Sequence, residues 1–211
     1  MNAAADTREK LINSALDLIY ARSYAGVGVQ ELCERAGVNK GSFYHFFPSK
    51  LDLILAALDR QWDMARAKIF EPAFARDVPP LKRIERCFDL FYESQCDVKE
   101  KTGKVFGCPF GNLALELSTQ ETAIRRRVEK IFAEMTGYFE RALQEAVTEG
   151  EIAEQDATKT AQAVVAFKQG VLLMAKTRNE PELISRLGRE FLGRLAANVG
   201  EQASANPRSR A

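Results

Sequence analysis

The stretch VQELCERAGVNKGSFYHFFPSK, residues 29–50, carries more structural information than any other part of the chain. Val29, Leu32, Cys33 and Ala36 recur at the three- and four-residue spacing of one helix face, and Val38 and Phe43 extend the apolar pattern past a break. Gly37 stands at that break, where a three-residue turn between two short helices needs left-handed backbone. The pattern predicts a helix over 29–36, a turn over 37–39 and a second helix over 40–47, brought close by small Cys33 and Ala36. Pro48 stops the second helix, and Ser49 is placed to cap another that opens with Lys50, Leu51 and Asp52. Lys40, Gly41, Ser42, Tyr44, His45 and Lys50 then face outward. A short helix with donors and a phenol on its free face suits a DNA major groove, its first residues at base edges and its flanks at phosphates.

Helical periodicity continues on both sides, and no run alternates in the manner of a strand, so the expected fold class is all-α. Leu11, Ala15, Leu18 and Ile19 mark a first helix starting near Asp6 or Thr7. The helix from Lys50 is expected to run through Leu58 and Trp62 to Phe70, ending before Pro72. Further helices are expected over 80–98, followed by a loop over 99–104, then over 109–118 and from about 119 to 149. Ile124, Val128, Ile131, Met135, Tyr138 and Leu143 form the stripe of that long helix, and Gly150 closes it. Asp156 caps a helix to about Thr177, Pro181 opens a last one through Val199, and the small polar residues 200–211 are expected to be disordered.

Composition narrows the function classes. A chain of 211 residues with 46% hydrophobic content can bury one large core or two smaller ones. Its apolar runs, split by Lys168 and Gln169, fall short of the ~20 residues a membrane span needs, and the first ten residues lack a signal-peptide core, so a cytoplasmic protein is expected. Four cysteines at irregular spacing and a single His45 suit neither a metal site nor a disulfide scaffold, and no cofactor-binding motif is present. Net charge is +1, so affinity for nucleic acid has to come from a local basic stretch, Arg35, Lys40, His45 and Lys50, which contains no acid. With the one histidine inside that stretch no nucleophile–base pair can be assembled, and an enzyme is not expected.

Residues 32–50 resemble the signature of the TetR family of one-component repressors: the alanine-glycine-valine turn, lysine-glycine, tyrosine, phenylalanine and serine-lysine stand at the same spacings. The resemblance implies an N-terminal three-helix DNA-binding domain, residues 1–50, a helical ligand-binding and dimerisation domain, 51–200, and a tail, 201–211. It implies a homodimer formed through the last two helices, bound to double-stranded operator DNA and released by a small-molecule inducer. On matching positions Lys40, Gly41 and Ser42 would meet bases or nearby backbone, Tyr44 and His45 phosphates, and Lys50 a phosphate at a helix start. The chain departs from the pattern at Gly28, where the family often has a threonine able to offer a hydroxyl to phosphate.

Cys108 precedes Pro109, a preferred first-turn residue, which puts its sulfur at a helix N-terminus, where unpaired amides favour a thiolate. The segment over 107–116 resembles that of family members responding to electrophiles or oxidants, some of which pair the cysteine with a lysine of the penultimate helix; Lys176 is the matching position. The inducer is thus expected to be a reactive electrophile or oxidant sensed at Cys108. Alternatively it is a non-covalent apolar molecule, for which Trp62, Phe88, Phe91, Tyr92, Phe110 and Tyr138 are candidate contacts. Cys108-Pro109-Phe110 also resembles a thiol-transfer site, but no βαβ pattern precedes it. A helical interaction protein that ignores DNA is the remaining class, and it would show weak, salt-independent DNA binding.

Overall fold

A computed structural model describes residues 3–153 and 155–205. Among them there is no strand, and no helix is long and apolar enough to cross a membrane. The elements are α1 (Ala3–Ala21), α2 (Val29–Ala36), α3 (Lys40–Phe46), α4 (Lys50–Ala65), a π-helical turn (Arg66–Phe70), α5 (Glu71–Ala73), α6 (Pro80–Thr102), α7 (Pro109–Leu117), α8 (Thr122–Thr148), α9 (Ala157–Arg178) and α10 (Glu182–Ala205).

Local chemistry explains most boundaries. Ser49 and Asp156 accept backbone N–H bonds from Asp52 and Lys159, capping α4 and α9 as their positions imply. Helix α1 already includes Ala3, earlier than Asp6 or Thr7, because the alanine run 3–5 favours helix. Helix α6 continues through the polar residues expected to loop: Lys99 and Lys101 sit in its last turn, where cations are favoured, and Gly103 ends it at φ 74°. The fourth helix does not run uniformly to Phe70; its last part is the π-helical turn, which turns Ile69 and Phe70 inward. Helix α10 passes the expected end at Val199 and reaches Ala205, so the break expected at 200 is absent; the rest of the expected tail, 206–211, lies outside the described residues.

Two compact units result, one of residues 1–66 and 108–131, the other of 67–107 and 132–211. In the first, Leu11, Leu32, Phe43 and Leu53 are fully buried, and the Ser14 hydroxyl donates to the Leu32 carbonyl oxygen at 3.0 Å, tying α1 to α2. In the second, Phe70 packs among Phe91, Tyr138 and Phe139, with ring centroids 5.2 to 6.4 Å apart. Phe139 fills the core where periodicity points to Tyr138, which is half-buried. A second aromatic group joins α6, α9 and α10 through Phe88, Phe167 and Phe191.

Candidate DNA-binding face and sensing cysteine

The turn between α2 and α3 is built from the backbone up. Gly37 adopts φ 68°; its N–H reaches the Glu34 carbonyl at 3.1 Å and the Val38 N–H reaches that of Cys33 at 2.9 Å, the paired pattern that closes a helix on a left-handed residue. Two residues later Asn39 caps α3 by accepting the Ser42 N–H at 2.7 Å. A Cβ on Gly41 would stand 3.2 Å from that Asn39 oxygen, so the glycine leaves the cap its room. Phe43 is fully buried, while Lys40, Gly41 and His45 are exposed, Ser42 is half-exposed and Tyr44 is 55% exposed. These five share the free side of α3. Phe47 is buried and Phe46 half-buried, as packing residues.

Charge on this face is sparser than the basic stretch suggests. Arg35 pairs with Asp17 at 3.0 Å and Arg22 with Glu31, whereas Lys40 has no ion-pair partner among the described residues. Lys50 is half-buried behind the face, its ammonium 3.8 Å from the Tyr24 ring centroid and donating to the Tyr24 carbonyl oxygen. Burial lowers the Lys50 pKa, with Glu116 opposing the shift. Gly28 is the extended N-cap of α2 with no side-chain acceptor, as its lack of a hydroxyl dictates.

Cys108 is the N-cap of α7: its sulfur accepts the Gly111 N–H at 3.4 Å, and the residue is 7% exposed. The other cysteines are poorer candidates. Burial pushes the Cys87 thiol up to about 12 and raises that of Cys33, and Cys96 shares a hydrogen bond with Tyr92. The backbone leading to Cys108 is held within the second unit. Asn179, the left-handed residue ending α9, accepts the Val105 N–H at 2.8 Å, and Gln95 accepts the Gly107 N–H at 2.9 Å. Gly107 has φ 73°, and a Cβ there would meet the Leu172 carbonyl at 3.2 Å and the Lys176 side chain at 3.4 Å. Lys176 is exposed, its stem lying under the residue that precedes Cys108.

The aromatic candidates do not form one group. Trp62 and Phe110 meet edge to face at 6.2 Å in the first unit, whereas Phe91 and Tyr138 border Phe70 and Phe88 joins the α9–α10 group in the second. Tyr138 also lines a polar cleft of about 90 Å³ with Arg83, Arg141 and Glu145. Tyr92 is half-buried, its pKa raised first by the hydrogen bond with Cys96. Lys168 went unread as a site residue: it is 1% exposed, its ammonium 3.4 Å from the Met135 sulfur and 4.4 Å from the Phe91 centroid. A lysine interrupting an otherwise apolar helix was its signal. Glu116, also unread, accepts the backbone N–H groups of Tyr24 and Ala25 at 3.0 and 2.8 Å.

Residues 11–57 match the model of bacterial regulatory proteins of the tetR family, and residues 80–191 that of the tetracyclin repressor-like C-terminal domain. An uncharacterized HTH-type transcriptional regulator of Lactococcus lactis is 29% identical over 175 residues, 83% of this chain and 86% of that protein. The HTH-type transcriptional repressor DhaR of Mycobacterium is 27% identical over 181 residues, 85% of this chain and 87% of its own. The repressor NemR of Escherichia coli is 29% identical over 125 residues, 59% of this chain and 61% of its own. Its crystal structure in the reduced form superposes with a TM-score of 0.75 at 24% identity, over 88% of this chain and 95% of that one, a likeness of fold.

Proposed function

The chain belongs to the TetR family of transcriptional regulators, DNA-binding proteins and not enzymes, and on that footing we propose that it is a repressor released from its operator when an electrophile or oxidant reacts at Cys108. The observation that carries the sensing is the sulfur's place as N-cap of α7. Alkylation by a quinone or aldehyde forms a carbon–sulfur bond as the electrophile's double bond opens, and a peroxide transfers one oxygen to sulfur and leaves as water or alcohol; either product changes the size and acceptor strength of the group that holds the Gly111 N–H. At 7% exposure the sulfur is largely enclosed, so bulk added to it presses on its neighbours and strains the start of α7. NemR, a relative whose crystal structure is of the reduced form, supports the same chemistry.

Lys40, Gly41, Ser42, Tyr44 and His45 are the proposed DNA contacts, two copies of α3 reading successive major grooves. Lys50 braces the turn at Tyr24 from behind and offers its remaining donors to phosphate. The dimer forms through α9 and α10; Leu173 and Met174, 50% and 42% exposed on α9, are apolar surface that a second copy would cover. A non-covalent apolar inducer is the second reading, favoured by the group of Phe70, Phe91 and Tyr138 rings in the second unit.

Mobility-shift titration on DNA selected by the purified protein tests both parts. Tyr44→Ala should weaken operator binding without unfolding the protein. Wild type should leave DNA on treatment with a quinone or aldehyde while Cys108→Ser stays bound; equal release of both rejects sensing at Cys108.

A further inference from the structure

We propose that Glu116 is a positioning residue for operator binding: its carboxylate, carried on α7, holds the loop that sets the angle of the helix-turn-helix. The two oxygens are used separately, Oε2 accepting the Tyr24 N–H at 3.0 Å and Oε1 the Ala25 N–H at 2.8 Å, across 92 and 91 residues of sequence. Charge-assisted bonds of this kind are about twice as strong as neutral ones. The loop they hold is short and leads directly into the DNA-reading helices. Val27, 1% exposed, inserts into the core, Gly28 caps α2, and the Gly37 turn fixes α3 to α2. A displacement at Tyr24 and Ala25 is therefore delivered to α3.

Packing anchors the end of this loop at Val27, but Tyr24 is half-buried and Ala25 exposed, so their amides depend on the carboxylate. Beside it, between α1, α4 and α7, the first unit leaves a cavity of about 50 Å³ with apolar walls that include Ile19, Ile54, Leu58 and Leu113, and with Ser23 and Glu116 on its border. The rest of the loop is held by polar contacts: Glu116 on its amides, Lys50 on the Tyr24 carbonyl, Arg22 on the Gly26 carbonyl at 2.6 Å, and Ser23 on the Gly26 amide at 3.0 Å. Glu116 is the member of this set that comes from outside the helix-turn-helix and its flanking helices. It also lies on the nine-residue helix that Cys108 caps, so movement at the N-cap of α7 is passed to the carboxylate.

The sign of the effect separates positioning from charge. Glu116→Ala removes a negative charge, which by electrostatics alone tightens binding to DNA; positioning requires weaker binding. Full-length Glu116→Ala should bind the operator about tenfold or more weakly, as expected for two lost charge-assisted bonds, with an unchanged salt slope. Glu116→Gln should fall between, since its oxygen accepts one N–H and its nitrogen none. Hydrogen exchange at the Tyr24 and Ala25 amides should speed up in both variants without DNA, at temperatures where their helix content equals wild type. Operator affinity equal to or above wild type in Glu116→Ala overturns the proposal, as does unchanged amide exchange. If Glu116→Ala fails to fold, Glu116→Gln decides by the same two measurements.

Discussion

The ammonium of Lys50 stands 3.8 Å from the centre of the Tyr24 ring and donates to the carbonyl oxygen of the same residue, so one side chain grips both the ring and the backbone of the loop before α2. A lysine at a helix start next to a DNA-reading helix is ordinarily assigned to phosphate alone, and here the same ammonium also holds a loop. Lys50→Gln should lower the melting temperature by about 2–4 °C, the effect of losing a contact worth about 1 kcal/mol. The slope of log affinity against log salt should also fall, by up to about 0.9, for the phosphate that its remaining donors reach. Lys40→Gln should leave stability unchanged and reduce that slope by about 0.9, one phosphate contact. Salt titrations of the two variants side by side check this.

Leu173 and Met174 expose large apolar side chains on α9, a helix whose opposite side, including Val171, Leu172 and Ala175, is buried. A helix apolar on two sides has to be covered on both. Leu173→Glu should give monomers in sedimentation equilibrium and reduce operator affinity on the order of a hundredfold, because two reading heads no longer bind as one.

Gly188 and Gly193 both lie in α10, yet their substitution should have opposite signs. Alanine in a helix is favoured over glycine by about 1 kcal/mol, and at Gly193 a Cβ meets nothing within 4 Å, so Gly193→Ala should stabilise. At Gly188 the same Cβ would fall 2.7 Å from Cγ of Phe88, itself 1% exposed. Overpacking costs about 1–3 kcal/mol and outweighs the propensity gain, so Gly188→Ala should destabilise. Thermal melts of the two variants give the comparison.

Glu145 gives the second unit a pH-dependent contribution to stability. Its carboxylate is bonded to Arg83, which is 7% exposed, and to Arg76 at 2.8 Å. The Arg83 hydrogen bond is the main cause holding its pKa below the ordinary value, against a smaller effect of burial. A depressed carboxylate contributes stability that is complete above the unfolded-state value, about 4.3, and lost as pH falls through the lower folded value. The melting temperature of Glu145→Gln should therefore lie below wild type at pH 7, and the gap should close below about pH 4.3. A gap independent of pH down to acid would remove the ion pair from the account.

How much of this could be read from residues alone depended on the range of the interaction. The Gly37 turn, the caps at Ser49 and Asp156 and the exposure of Lys40, Tyr44 and His45 follow from partners within a few positions, and the structure carries all of them. Helix ends lacking such chemistry were misplaced: the polar end of α6 continues to Thr102, and the π-helical turn after Ala65 has no composition to mark it. Spacing and hydropathy make Trp62, Phe91, Phe110 and Tyr138 equivalent candidate contacts, but Trp62 and Phe110 belong to one compact unit and Phe91 and Tyr138 to the other.

The chain's own sequence determined the all-helical architecture, the helix-turn-helix and the sulfur at the start of α7, because periodicity, a left-handed glycine and a first-turn proline act over one or two turns of backbone. Tertiary structure alone decided that Lys50 turns to Tyr24, that Lys168 lies buried against Phe91 and Met135, and that Glu116 reaches back 91 and 92 residues to the loop before α2. A charged side chain's local pattern states that it needs a partner; which partner it finds depends on where the fold places distant residues, and no spacing along the chain encodes that directly.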